Sequence, residues 1–83
     1  MPVSLYHAEY KALRALLRDM RLKAKLTQTQ MAEALAVGQS YVSKVERGEN
    51  FVDVLLFSRW CAVCGIKAGR ALDELLKENV QVS

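Results

Sequence analysis

The sequence predicts an all-α domain of five helices, and three observations lead there. Only one proline and four glycines interrupt 83 residues, and that proline is Pro2. Strong helix formers (Ala, Leu, Lys, Arg, Glu, Gln) dominate the rest. Apolar residues, 52% of the chain, recur at steps of three and four, the period of a helix face. A chain of this length makes one domain, residues 1–83, with a small core.

Ser4 is placed to cap the first helix. Tyr6, Tyr10, Leu13, Leu17 and Met20 follow at steps of four, three, four and three, forming one face that Leu16 widens. Lys11, Arg14 and Arg18 fall largely outside it. The helix is expected to end between Lys23 and Lys25. No glycine stands there, so Ala24 or Lys25 is expected to take the positive φ that often follows a helix.

Thr27-x-x-Gln30 reads as a capping box opening the second helix, whose inner face is Met31, Ala32 and Leu35. Ala36-Val37-Gly38 breaks the pattern. The third helix keeps Val42 and Val45 inward, turns Gln39, Ser40, Tyr41, Ser43 and Lys44 outward, and stops at Gly48. A helix, a sharp turn and a helix with a polar leading face have the form that enters a DNA major groove. Residues 27–48 are therefore read as a helix-turn-helix.

Asp53 caps a fourth helix, residues 53–64, with Gly65 as its stop. Val54, Phe57, Cys61 and Cys64 form one apolar line on it, and Leu56, Trp60 and Val63 an adjacent second. A small domain hardly buries both, so part of this surface is expected to be an interface, with core packing of a partly exposed Trp60 as the alternative. A fifth helix, residues 68–78, carries Ala71, Leu72, Leu75 and Leu76 toward the core or a partner. Val80 and Val82 alternate with polar residues in the tail.

The net charge of +3 is unevenly spread. Residues 11–47 hold eight Lys/Arg against three Asp/Glu, whereas residues 48–83 hold four against five. A basic front half fits an anionic partner. No apolar run approaches bilayer length, and no signal peptide is visible. Cys61-x-x-Cys64 lies within one helical pattern, and His7 is the single histidine, so four zinc ligands are lacking and no strand accompanies a redox site. The two cysteines read as core residues of a protein in a reducing cytoplasm. No nucleophile–base set stands out. Neither an enzyme, a metal nor a cofactor is expected.

Leu13, Arg21, Leu26-Thr27-Gln28, Met31-Ala32 and Ser43-Lys44-Val45-Glu46-Arg47-Gly48 together resemble the Cro and repressor class of helix-turn-helix regulators, the XRE type. Asp53-Val54, Phe57, Trp60-Cys61 and Gly65-Ile66 extend the likeness to its short prophage-type members. The resemblance implies a five-helix lambda-repressor-like fold and gives residues roles. Gln39, Ser40, Ser43 and Lys44 match positions that face base edges. Thr27, Gln28, Tyr41 and Arg47 match positions suited to phosphates. Arg21 and Glu46 match a partly buried ion pair.

Four positions depart from the family pattern. Gly38 replaces a Ser or Thr cap, Lys25 a glycine, Leu56 an acidic residue and Lys67 an acidic cap. Leu56 thus joins Trp60, Leu72, Leu75 and Leu76 as candidates for a dimer interface. Two function classes follow from the resemblance. One is a regulator, expected to be a repressor, that binds double-stranded DNA at a pseudo-palindromic operator as a homodimer through residues 39–47. The other is an antitoxin that binds a toxin protein and its own promoter.

Overall fold

The computed structural model describes residues 3–79, with side chains described for residues 8–77. Five helices make up the fold: α1 (Val3–Lys23), α2 (Gln28–Leu35), α3 (Gln39–Arg47), α4 (Val54–Val63) and α5 (Ala68–Asn79). No strand occurs among the described residues. The long α1 lies against α3, α4 and α5, while α2 bridges α3 and α4. Ser4 falls inside the first turn of α1 rather than ahead of it. The expectations for the side chains of Tyr6 and His7, and for Val80 and Val82, lie outside the described residues.

Each helix sends its periodic apolar face into one core. Leu17 and Met20 come from α1, Met31 and Ala32 from α2, and Val42 and Val45 from α3. Phe57, Trp60 and Cys61 come from α4 and Ala71 from α5, with Leu75 buried beside them. Each large side chain removed from water stabilises the fold by about 1.5–3 kcal/mol.

The fourth helix corrects the sequence reading. Trp60 is fully buried, and its indole N–H donates to the Leu17 carbonyl at 2.9 Å. A tryptophan can occupy the interior only when that N–H finds an acceptor, and α1 supplies one. Trp60 therefore fastens α4 to α1 and offers nothing to a second chain. Leu75 is likewise core, and Leu56 is half-buried against it. Val54, on the same apolar line as Phe57 and Cys61, stands exposed in the first turn of α4.

One device ends each of the first four helices. A residue with positive φ donates its amide to the carbonyl three residues back, and the next amide reaches five residues back. Lys25 and Leu26 bond Leu22 and Arg21 at 3.0 and 3.1 Å, and Ala36 and Val37 bond Glu33 and Ala32 at 3.2 and 2.9 Å. Gly48 and Glu49 bond Val45 and Lys44 at 3.1 and 2.8 Å, and Gly65 and Ile66 bond Ala62 and Cys61 at 3.1 and 2.9 Å. These are Schellman closures, which use up the last carbonyls of a helix. Glycine supplies the φ of +82° and +74° at Gly48 and Gly65, but Lys25 (+62°) and Ala36 (+60°) adopt it with a side chain in place. Each of those two costs roughly 1–2 kcal/mol, which the packing of Leu26 and Leu35 against the core offsets.

The two glycines differ in their surroundings. A Cβ at Gly65 meets open space, whereas one at Gly48 overlaps the Arg14 guanidinium, which donates to the Arg47 carbonyl. Gly65→Ala is expected to cost only the left-handed strain, about 1 kcal/mol. Gly48→Ala should cost roughly twice that, because Arg14 must also leave the end of α3. Urea unfolding of both variants checks the order, and equal losses would show that Arg14 contributes nothing there.

Candidate nucleic-acid interface

The helix-turn-helix is assembled by burial on one side and capping on the other. Val42 and Val45 sink into the core and roll α3 so that Gln39, Ser40 and Lys44 face solvent, with Ser43 half-buried between them. Tyr41 is half-buried and packs on the core cluster, so it lies at the flank of the exposed face. Gly38 caps α3 by backbone alone. At the start of α2 the capping box is complete: Thr27 Oγ1 accepts from the Gln30 amide at 3.0 Å, and Gln30 Oε1 accepts from the Thr27 amide at 2.9 Å. The next two amides, of Gln28 and Thr29, have no helical acceptor and sit at the positive end of the α2 dipole.

A hydrogen-bonded chain of four side chains joins the first turns of α2 and α3 to the scaffold. Arg21 on α1 donates through Nε to Glu46 Oε2 at 2.6 Å and through Nη2 to Oε1 at 2.9 Å, a two-point pairing. Its Nη1 donates to the Leu26 carbonyl at 2.8 Å, bracing the α1–α2 turn. Both side chains of the pair are nearly removed from water, 8% and 4% exposed. Gln28 Nε2 donates to Glu46 Oε1 at 3.1 Å, and Gln39 Nε2 donates to Gln28 Oε1 at 2.7 Å. The exposed Gln39 is thus tied through Gln28 and Glu46 to Arg21.

Hydrogen-bond inventory shows what this leaves over. Gln39 retains one amide proton and its carbonyl oxygen, the donor and acceptor that adenine N7 and N6–H require. Gln28 retains one amide proton, beside the open amides of α2. Arg47, matched to a phosphate position, instead pairs with Glu49, Nε to Oε2 at 2.9 Å, on the surface. That pair is exposed and weak, so an anion can compete for the guanidinium.

Sequence reasoning missed three participants. The bridge through Gln28 spans partners 11 and 18 residues away, and nothing local announces it. Arg14 fell on the outer face of α1 by period, yet it reaches the end of α3. Glu49 lies just past the Gly48 stop, and its charge two residues from Arg47 is the signal that could have found it.

Among the described residues no group of three or more His, Cys, Asp or Glu gathers to hold a metal. Cys61 is buried and Cys64 half-buried, both as free thiols. Burial pushes both thiols up, Cys64 to about 11, where Cys61 adds to the rise and Arg21 opposes it. Thiols held protonated in this way are poor nucleophiles and poor metal ligands. No described helix is long and apolar enough to cross a membrane.

A family model described as a helix-turn-helix domain matches residues 12–75. Among solved structures, the chain is similar to an XRE-family like protein from Pseudomonas syringae pv. tomato str. DC3000. The two are 35% identical, with a TM-score of 0.84 over 89% of this chain and 90% of that one. No curated protein matches the sequence significantly.

Two predictions follow from this geometry. Arg21→Ala strands the Glu46 carboxylate in the interior and should destabilise the fold by about 3–5 kcal/mol, while Arg21→Met with Glu46→Leu should recover most of the loss. Thermal melts of the three proteins decide it, and a stable Arg21→Ala would mean the pair is not holding the helices. Because Cys64 titrates at about 11 in the fold against 9.0 when unfolded, its contribution is intact below pH 9 and lost as pH rises toward 11. Between pH 8 and 10.5 the wild type should therefore lose more melting temperature than Cys64→Ala, and parallel losses would contradict this.

Proposed function

Because the chain belongs to the XRE-type helix-turn-helix family, a family of DNA-binding regulators rather than enzymes, we propose that it acts as a repressor. In this reading it binds a pseudo-palindromic operator as a homodimer and occludes a promoter in the cytoplasm. The observation that carries the reading is the exposed Gln39 at the head of α3, held through Gln28 to the buried Glu46. A reader must present fixed hydrogen-bonding atoms before it meets a base, and this one is fixed from behind.

Roles divide along the interface. Gln39 and Ser40, at the first turn of α3, and Lys44, one turn on, are the base readers, with Ser43 a weaker contributor. Gln matches adenine and Lys matches guanine N7/O6. The Thr27 hydroxyl proton, the remaining Gln28 amide proton and the open α2 amides suit one phosphate. Tyr41 and Arg47 suit phosphates at the flanks, with Arg47 leaving Glu49 to do so. Neutralised phosphates give affinity that falls steeply with salt.

An antitoxin reading rests on the apolar surface that the fold leaves exposed at Phe51, Val54 and Leu55. Copurification of a small unrelated protein with the native chain would favour it over the stand-alone repressor.

Selection from random duplexes tests the proposal. The wild type should enrich two symmetric half-sites whose centres lie about 10 base pairs apart. Lys44→Ala should lose discrimination at a single position, by about 1–3 kcal/mol, whereas Arg47→Ala should weaken all sequences alike. Failure to enrich any sequence would sink the proposal, and an unchanged preference in Lys44→Ala would overturn the assignment of that side chain.

A further inference from the structure

The end of α3 carries an anion where the proposed function needs a cation. The left-handed turn at Gly48, with φ of +82°, folds the chain back over the last turn of the helix. The Glu49 amide then donates to the Lys44 carbonyl at 2.8 Å, which fixes the backbone from which the Glu49 side chain springs. Its carboxylate takes the Arg47 guanidinium at two points, Nε donating to Oε2 at 2.9 Å and Nη2 to Oε1 at 3.4 Å. Behind the pair, Arg14 donates to the Arg47 carbonyl at 3.5 Å, so Arg47 is held by its backbone as well.

A phosphate meets a guanidinium as a carboxylate does, with two oxygens for one planar fork. The Nε edge of Arg47 is therefore taken before any DNA arrives. Both side chains stand more than half exposed, 57% and 54%, so the pair is open to exchange. Displacing an exposed pair costs only a few-fold in an equilibrium constant. The charge still counts afterwards, because a displaced Glu49 stays tethered by its amide and faces the phosphate that took its place. Glu46, the other acid near this end of α3, is already engaged by Arg21 and Gln28.

We infer that Glu49 is an internal competitor of the DNA backbone for Arg47, and so limits how tightly the protein holds any duplex. The inference rests on the phosphate role proposed for Arg47 and adds what opposes it. Phosphates carry no sequence information, so the opposition falls alike on every site. It lowers the affinity that all sequences share and leaves the preference set by Gln39, Ser40 and Lys44 unchanged.

Titration of a fluorescent random-sequence duplex with the full chain tests it, in a double-mutant cycle of Glu49→Gln and Arg47→Ala. Glu49→Gln keeps the amide that closes α3, so its melting temperature should match the wild type. It should tighten binding about threefold at ~50 mM salt, and the gain should shrink toward ~200 mM as ions screen the exposed pair. In the Arg47→Ala background the same substitution should change affinity by less than about 1.5-fold. Unchanged binding by Glu49→Gln, beside weakened binding by Arg47→Ala, overturns the competition and leaves the phosphate role of Arg47 standing. An equal gain with and without Arg47 also overturns it, since Glu49 would then act on the DNA as a charge rather than through Arg47. If neither substitution alters binding, the phosphate role falls as well, and a wild type that binds no duplex overturns the repressor reading with it.

Discussion

The Arg21–Glu46 pair is the constraint on which the interface depends. Two charges withdrawn from water gain little net stability from each other, since desolvation cancels most of their attraction. What they supply is geometry. The guanidinium has a fixed fork, so Glu46 can satisfy it only with α3 at one rotation and one height against α1. The third donor of the same fork holds the Leu26 carbonyl and so sets where α2 begins. One side chain thereby positions both halves of the helix-turn-helix. A hydrophobic pair of equal volume would hold the helices together with less say over their register.

The backbone around this pair is built to keep the connections short. Three of the four Schellman turns flank α2 and α3, closing the helices within a few residues. Two of the four left-handed positions are occupied by Lys25 and Ala36, where glycine would be easier. The chain tolerates that strain because the adjoining Leu26 and Leu35 are packed against the core.

Much of this was legible in the sequence. Spacing of apolar residues gave five helices, and Thr27, Gln30, Gly48, Asp53 and Gly65 marked ends that the structure places within a residue or two. These signals are local, carried by residues three or four apart. What escaped was set by partners far along the chain. The fate of Trp60 turned on a carbonyl 43 residues away, and no helical period reveals that Leu17 offers one. Val54 follows the period of its neighbours, yet as the first residue of α4 it stays exposed while Phe57 and Cys61 are buried. For the candidate interface, residue types marked which side chains face outward, but not that Gln39, Gln28 and Glu46 touch. Side-chain hydrogen bonds between helices depend on rotamers, which leave no periodic trace.

The Gln39–Gln28 bond also bears on how such an interface changes over evolution. Replacing Gln39 would release the Gln28 side chain, so under the proposed roles reading and anchoring at this end are coupled. Ser40 and Lys44 make no side-chain bond among the described residues and can be exchanged one at a time. Under the proposed assignment, new sequence preferences would therefore be reached by single steps in the middle of α3. At its head they require paired steps, with Gln28 and Gln39 changing together or passing through an intermediate that has lost its register.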